Sequence, residues 1–132
     1  SWASRGLGDV YKRQVLPQSH VIRMERVRFA DDIPVAYEIT SIPEKIIRGF
    51  KESEITEHFF KTLTDNGYEI GKSQQTISAS LANSSLAKHL KVKTGDALLS
   101  LTQISFLQDG QAFEYVRSYY VGDRFEFYLE NN

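Results

Sequence analysis

The sequence predicts one domain that mixes antiparallel hairpins with helices. Three observations predict it: period-two alternation on both sides of Ala30-Asp31-Asp32, the same alternation around Asp109-Gly110, and between them a switch to helical period over residues 53–66. A chain of 132 residues with 41% hydrophobic and 12% aromatic side chains is long enough for a single core. At that size roughly 68% of the unfolded surface is buried.

The elements follow in order. Residues 20–29 are rich in valine, isoleucine and phenylalanine, and after the Asp-Asp interruption Ile33, Val35, Tyr37 and Ile39 alternate with Pro34, Ala36, Glu38 and Thr40, so residues 20–40 read as a hairpin that Pro43 ends. Over residues 53–66, Ile55, Phe59, Phe60 and Leu63 fall on one helical face, with Ser53 placed to cap the start and Gly67 the end. Residues 72–82 read as a strand and residues 84–90 as a short helix whose Leu86, Ala87 and Leu90 share a face. Gly95-Asp96 then marks a turn. A second hairpin runs over residues 97–108 and 111–121, and residues 124–130 read as a last strand. The two hairpins resemble each other: Val27-Arg28-Phe29, a turn and Val35-Ala36-Tyr37 recur as Ile104-Ser105-Phe106, a turn and Phe113-Glu114-Tyr115. An internal duplication would account for this. A strand and short helix precede the second copy only.

Charge and composition exclude several function classes. Sixteen basic against 17 acidic residues leave a net charge of −1, which disfavours a nucleic-acid backbone as a partner of this domain. Tyr115, Tyr119, Tyr120, Phe125, Phe127 and Tyr128 therefore read as core or sheet-face packing rather than a base-stacking platform. Without cysteine there is no disulfide, thiolate nucleophile or cysteine metal site, which leaves the compartment open with a lean to the cytoplasm. His20, His58 and His89 are too widely spaced for a local metal motif, and no phosphate loop, nucleophile elbow or cofactor motif appears. Neither a signal peptide nor a membrane-spanning apolar run is visible. Residues 9–14 can be encoded by GAT GTG TAT AAG AGA CAG, similar to a transposase end used in sequencing libraries. Residues 1–14 are accordingly expected to be a cloning or assembly scar or a disordered tail, with residues 15–132 forming the domain.

One set of polar residues has the pattern of a ligand site. Arg26 and Arg28 share a strand face, as do Glu38 and Thr40 on the next strand, and Glu114, Val116, Ser118 and Tyr120 line one face of the second hairpin. Convergence depends on register. A three-residue loop, Asp31-Asp32-Ile33, sets Arg26 opposite Glu38 and Arg28 opposite Ala36, whereas a strict two-residue turn sets Arg26 opposite Tyr37. The first register is expected. Arginine forks hold an anion through charge-assisted hydrogen bonds worth about 1.5–3 kcal/mol each, and carboxylates accept from ligand hydroxyls. A solvated cross-strand ion pair is the competing explanation for arginine and glutamate on neighbouring strands.

Three segments in order, Arg26-Val27-Arg28-Phe29-Ala30-Asp31-Asp32-Ile33-Pro34-Val35-Ala36-Tyr37-Glu38, then Leu90-Lys91-Val92-Lys93-Thr94-Gly95-Asp96-Ala97-Leu98-Leu99, then Asp109-Gly110-Gln111-Ala112-Phe113-Glu114-Tyr115, resemble the UTRA effector-binding domain of the HutC subgroup of GntR-type transcription regulators. The resemblance covers about residues 21–128. It implies an α+β, chorismate lyase-like fold with a first strand and helix missing here, a small anionic metabolite such as a sugar phosphate or a carboxylate as effector, and a homodimer. It also implies operator DNA held by an N-terminal winged helix-turn-helix domain absent from this chain. Site residues carried over are Arg26, Arg28, Glu38, Glu114 and Tyr120, with Ser118 beside them, and His58 where the family often has a serine at the start of the main helix. No cofactor, metal or catalysis is implied; a stand-alone enzyme of the chorismate lyase-like fold is the alternative.

Overall fold

The computed structural model describes residues 20–126, 128 and 130, and the suspected scar lies outside the described residues. Among the described residues, β1 (Val21–Ala30), β2 (Ile33–Pro43), β3 (Ile70–Leu81), β4 (Ala97–Leu107) and β5 (Ala112–Val121) form one antiparallel sheet in the order β1-β2-β5-β4-β3. Helices α1 (Glu44–Ile47), α2 (Glu52–Thr56) and α3 (Phe59–Asp65) lie between β2 and β3, and α4 (Ser84–Leu90) between β3 and β4. This is an α+β arrangement. No helix among the described residues is long and apolar enough to cross a membrane.

The first hairpin reaches the expected register by an unexpected route. Its turn has two residues, not three: Asp31 and Asp32 both take positive φ, 50° and 66°, a conformation aspartate tolerates better than most residues. Ala30 then pairs with Ile33 and Phe29 with Pro34, but Arg28 pairs with Ala36, so Val35 is an extra, unpaired residue. That bulge restores parity and sets Arg26 opposite Glu38. Pro34 sits beside the irregularity, where its missing N–H disturbs the ladder least.

The second hairpin repeats the device. Phe106 pairs with Ala112 and Ser105 with Glu114, leaving Phe113 unpaired, while Gly110 takes φ 90° in the turn that follows Asp109. The two ladders break between Arg28 and Phe29 and between Ser105 and Phe106, at positions that the sequence repeat makes equivalent. The β2–β5 pairing obeys the same correspondence. Glu38↔Ser118 and Thr40↔Val116 exchange under it, and Ile39↔Arg117 maps onto itself. A local pseudo-twofold axis therefore passes through the Ile39–Arg117 pair.

Alternation along β2 divides the core between the two faces. Tyr37 and Ile39 pack with Leu86, Ala87 and Leu90 of α4 and with Leu98, Tyr119 and Val121. On the opposite face Ile42 packs with Ile46 and Ile47 of α1, Phe59 and Leu63 of α3, Leu107 and Phe113. The helices α1 to α3 thus fill one end of the face that carries Glu38 and Thr40. Among the described residues, nothing covers the rest of that face.

Three expectations are corrected. The single helix expected over residues 53–66 is two helices, because His58 has non-helical φ −136° and ψ 41° and α2 buries no side chain whereas α3 buries Phe59, Thr62 and Leu63. The buried Thr62 hydroxyl ties the pieces together, lying 3.1 Å from the Glu54 carbonyl oxygen and 2.8 Å from that of His58. Ser53 falls inside α2, and the Lys51 N–H at its start donates to Glu54 Oε1 at 2.8 Å. Gly67 does end α3, at φ 89°, as the Tyr68 N–H donates to the Leu63 carbonyl at 3.0 Å. The short α1 after Pro43 is an addition. The last strand expected over residues 124–130 is turn and irregular chain among its described residues. Arg124 closes that turn, its N–H bonded to the Val121 carbonyl at 3.0 Å and its guanidinium to the Pro34 carbonyl at 2.9 Å. Phe125 stacks on Tyr120 with ring centroids 4.2 Å apart, so aromatic packing takes the place of pairing.

Candidate functional site

The open part of the sheet face is a cavity of about 290 Å³. Its walls come from four strands: Arg26 and Arg28 of β1, Glu38 and Thr40 of β2, Glu114, Val116, Ser118 and Tyr120 of β5, and Leu101 and Gln103 of β4. Register explains the convergence. Arg26↔Glu38, Glu38↔Ser118 and Leu101↔Ser118 are successive rungs across the sheet, and directly opposite residues in a ladder point to the same side.

Six of the seven sequence-derived candidates therefore meet in one cavity; His58 does not. It is exposed at the start of α3 and is not among the lining residues. Leu101 and Gln103 were missed by the sequence reading. The alternation in β4 that places them was visible, but the adjacency of β4 to β5 on this side gives it meaning only once the turn at Asp109-Gly110 is paired with the correct bulge.

The two ends of the cavity differ electrically. At one end Arg28 Nε donates to Glu38 Oε1 at 2.5 Å and Arg26 Nε lies 3.6 Å from the same oxygen, while Ser118 Oγ donates to Glu38 Oε2 at 3.5 Å. The Glu38 side chain is only 15% exposed, against about half for each arginine. A guanidinium has five N–H donors, so one engaged at Nε can still fork an anion through its terminal nitrogens. At the other end burial, with a smaller contribution from the Glu38 charge, pushes the Glu114 carboxyl above the usual carboxylate range, and a hydrogen bond from Ser105 partly offsets it. Ser105 Oγ donates to Glu114 Oε1 at 3.3 Å and accepts from Gln103 Nε2 at 3.4 Å, and Gln103 Oε1 accepts from Gln75 Nε2 of β3 at 2.6 Å. One end thus presents fixed positive charge and the other a half-buried acid at the end of an amide chain. No cluster of three or more His, Asp or Glu suited to a metal occurs among the described residues.

The chain is similar to known proteins over most of its length. The chain is 33% identical over 114 residues to the HTH-type transcriptional repressor NagR of Bacillus subtilis, covering 83% of this chain and 45% of that protein. It is 29% identical to the HTH-type transcriptional repressor PhnF of Mycolicibacterium smegmatis, over 81% of this chain and 44% of that protein. The chain thus spans less than half the length of these relatives. Among solved structures, a GntR-family transcriptional regulator from Enterococcus faecalis superposes with a TM-score of 0.86 at 47% identity, covering 96% of this chain and 91% of that one. The effector domain of PhnF from Mycobacterium smegmatis superposes with a TM-score of 0.73 at 27% identity, over 85% and 70% of the two chains. The fold is that of the effector domains of GntR-family regulators, and since the UTRA domain model matches residues 11–126, the chain belongs to the UTRA domain family.

Proposed function

We propose that this domain is the sensor part of a GntR-type bacterial regulator of the HutC subgroup, and that it holds a small anionic metabolite, a sugar phosphate or a carboxylate, between its two hairpins. The observation that carries the reading is the pair Arg26 and Arg28 sharing Glu38 on the wall of a cavity whose far end holds Glu114. The arginines take the anion and Glu38, Ser118, Tyr120 and Glu114 take its hydroxyls. In the whole protein, a cytoplasmic homodimer, the N-terminal helix-turn-helix domains grip operator DNA. Effector binding shifts the balance between two placements of those domains by its differential affinity for them. The relatives NagR and PhnF are repressors, which favours release of DNA as the response. They are regulators rather than enzymes, so turnover has no part in the reading.

A thermal-shift screen against sugar phosphates, urocanate-like acids and phosphonates tests it. A ligand at one hundred times its dissociation constant adds about 2.7 kcal/mol of stability. Arg28→Ala removes one or more charge-assisted bonds and weakens the hit about tenfold or more by titration calorimetry. A hit of unchanged affinity in Arg28→Ala places the ligand elsewhere, and no hit from the folded wild-type domain defeats the anionic class.

A further inference from the structure

Four charged side chains line the cavity, Arg26 and Arg28 of β1, Glu38 of β2 and Glu114 of β5, and with both carboxyls ionised their charges cancel. The pairing is unequal. Glu38 takes both arginines, Arg28 at 2.5 Å and Arg26 at 3.6 Å, and accepts from Ser118 as well. Glu114 has no basic partner among the described residues. Its Oε1 accepts from the Ser105 hydroxyl at 3.3 Å, and behind that hydroxyl β4 and β3 supply only the neutral amides of Gln103 and Gln75. The Tyr120 phenol completes the titratable groups among the lining residues.

An anion on the arginines brings its charge into this half-enclosed space, where a reduced effective dielectric lets it act on both carboxyls. They do not respond equally. Protonating Glu38 would surrender two ion pairs, whereas protonating Glu114 surrenders one hydroxyl's hydrogen bond to a charged oxygen. Burial and, to a smaller extent, the Glu38 charge already hold the Glu114 carboxyl above the usual carboxylate range, and a further negative charge acts in the same direction. We propose that seating an anion on Arg26 and Arg28 draws a proton onto Glu114, so that the site reads the metabolite and acidity together. This inference rests on the anionic reading above and adds its regulation. Linkage fixes the sign: the anion favours the protonated carboxyl, so the protonated carboxyl favours the anion by the same factor. Affinity is then greatest in acid, falls by up to about tenfold per pH unit as pH rises through the raised range of Glu114, and levels off above the range of the occupied site.

Sulfate is the probe, because it exchanges no proton between about pH 5 and pH 8. Its dissociation constant would be measured on the full chain by calorimetric titration across that range, with folding followed by circular dichroism. Wild type should bind at least about fivefold more tightly at the acid end, and titrations in two buffers of different ionisation heat should show proton uptake. Glu114→Gln, a neutral mimic of the protonated carboxyl, should flatten the pH dependence and bind at the alkaline end more tightly than wild type. Ser105→Ala removes the donor that favours the charged form and should move the fall in affinity to higher pH. A wild type that binds sulfate equally at every pH without proton uptake, or a pH dependence that persists in Glu114→Gln and stays in place in Ser105→Ala, overturns the coupling and leaves the anion site standing. Folded wild type that binds no sulfate, or binding that Arg28→Ala leaves unchanged, overturns both.

Discussion

Glu114 is the carboxyl group in the cavity most removed from its ordinary behaviour. Burial raises its pKa above the usual 4.5, so the folded chain binds that proton more tightly than the unfolded chain does. The sign follows from linkage: stability falls as pH rises from the ordinary value through the raised one, because the folded state must give up its extra proton. Glu114→Gln keeps the shape and removes the titration. The melting temperature of the variant relative to wild type should therefore increase between about pH 4 and pH 8, as read by calorimetry at several pH values. A constant difference would mean that Glu114 is not buried as acid. Tyr119 behaves alike on the other face, pushed up to about 12 by burial against the opposing effect of Arg117, and it stays a neutral hydrogen-bonding phenol throughout this range.

Each element has a residue on which its placement turns. Asn83 caps α4, its Oδ1 accepting from the Leu86 N–H at 2.9 Å, and Asn83→Ala should cost about 1 kcal/mol of stability in urea unfolding with an unchanged slope. Gly71 lies at the irregular start of β3, where a Cβ would meet the Leu107 carbonyl oxygen at 2.7 Å. The obstacle is backbone and cannot swing aside, so Gly71→Ala should destabilise by about 1–3 kcal/mol in the same measurement. The strands and α4 were legible in the sequence because period-two alternation and a short capped apolar face are local signals. The face shared by Arg26 and Glu38 was legible as well, since a strand face follows from parity once a register is chosen. The loop that sets this register was not, because a three-residue loop and a two-residue turn plus a bulge yield the same pairing at Arg26. The break at His58 was hidden for a different reason: apolar spacing continues through it, and what divides the helix is the packing of Phe59 and Leu63 against Phe113 and Leu107, partners far along the chain. Residues 124–126 fail as a strand because Phe125 has a better contact on Tyr120 than a neighbour to pair with.

For the whole molecule, the two largest of three buried clusters lie on opposite faces of one sheet and make separable cores. Leu90 and Phe113 are both fully buried, in clusters that share no residue. Leu90→Ala should cost about 2–5 kcal/mol and Phe113→Ala about 3–5 kcal/mol. Their costs should add to within about 0.5 kcal/mol in a double variant, measured by denaturant unfolding in a background stable enough to accept both. A large coupling energy would show that the sheet transmits packing strain from face to face. The paired bulges at Val35 and Phe113 bear on history as well as on shape. A one-residue insertion in a hairpin is a rare event, and two at equivalent places need two such accidents if the hairpins arose separately. A single ancestral hairpin that had already gained the codon before it was copied needs one. If the hairpins arose so, the ancestor would have paired with its own twin across the axis now occupied by Ile39 and Arg117, and the arginines on one side and Glu114 on the other would be later departures from equality.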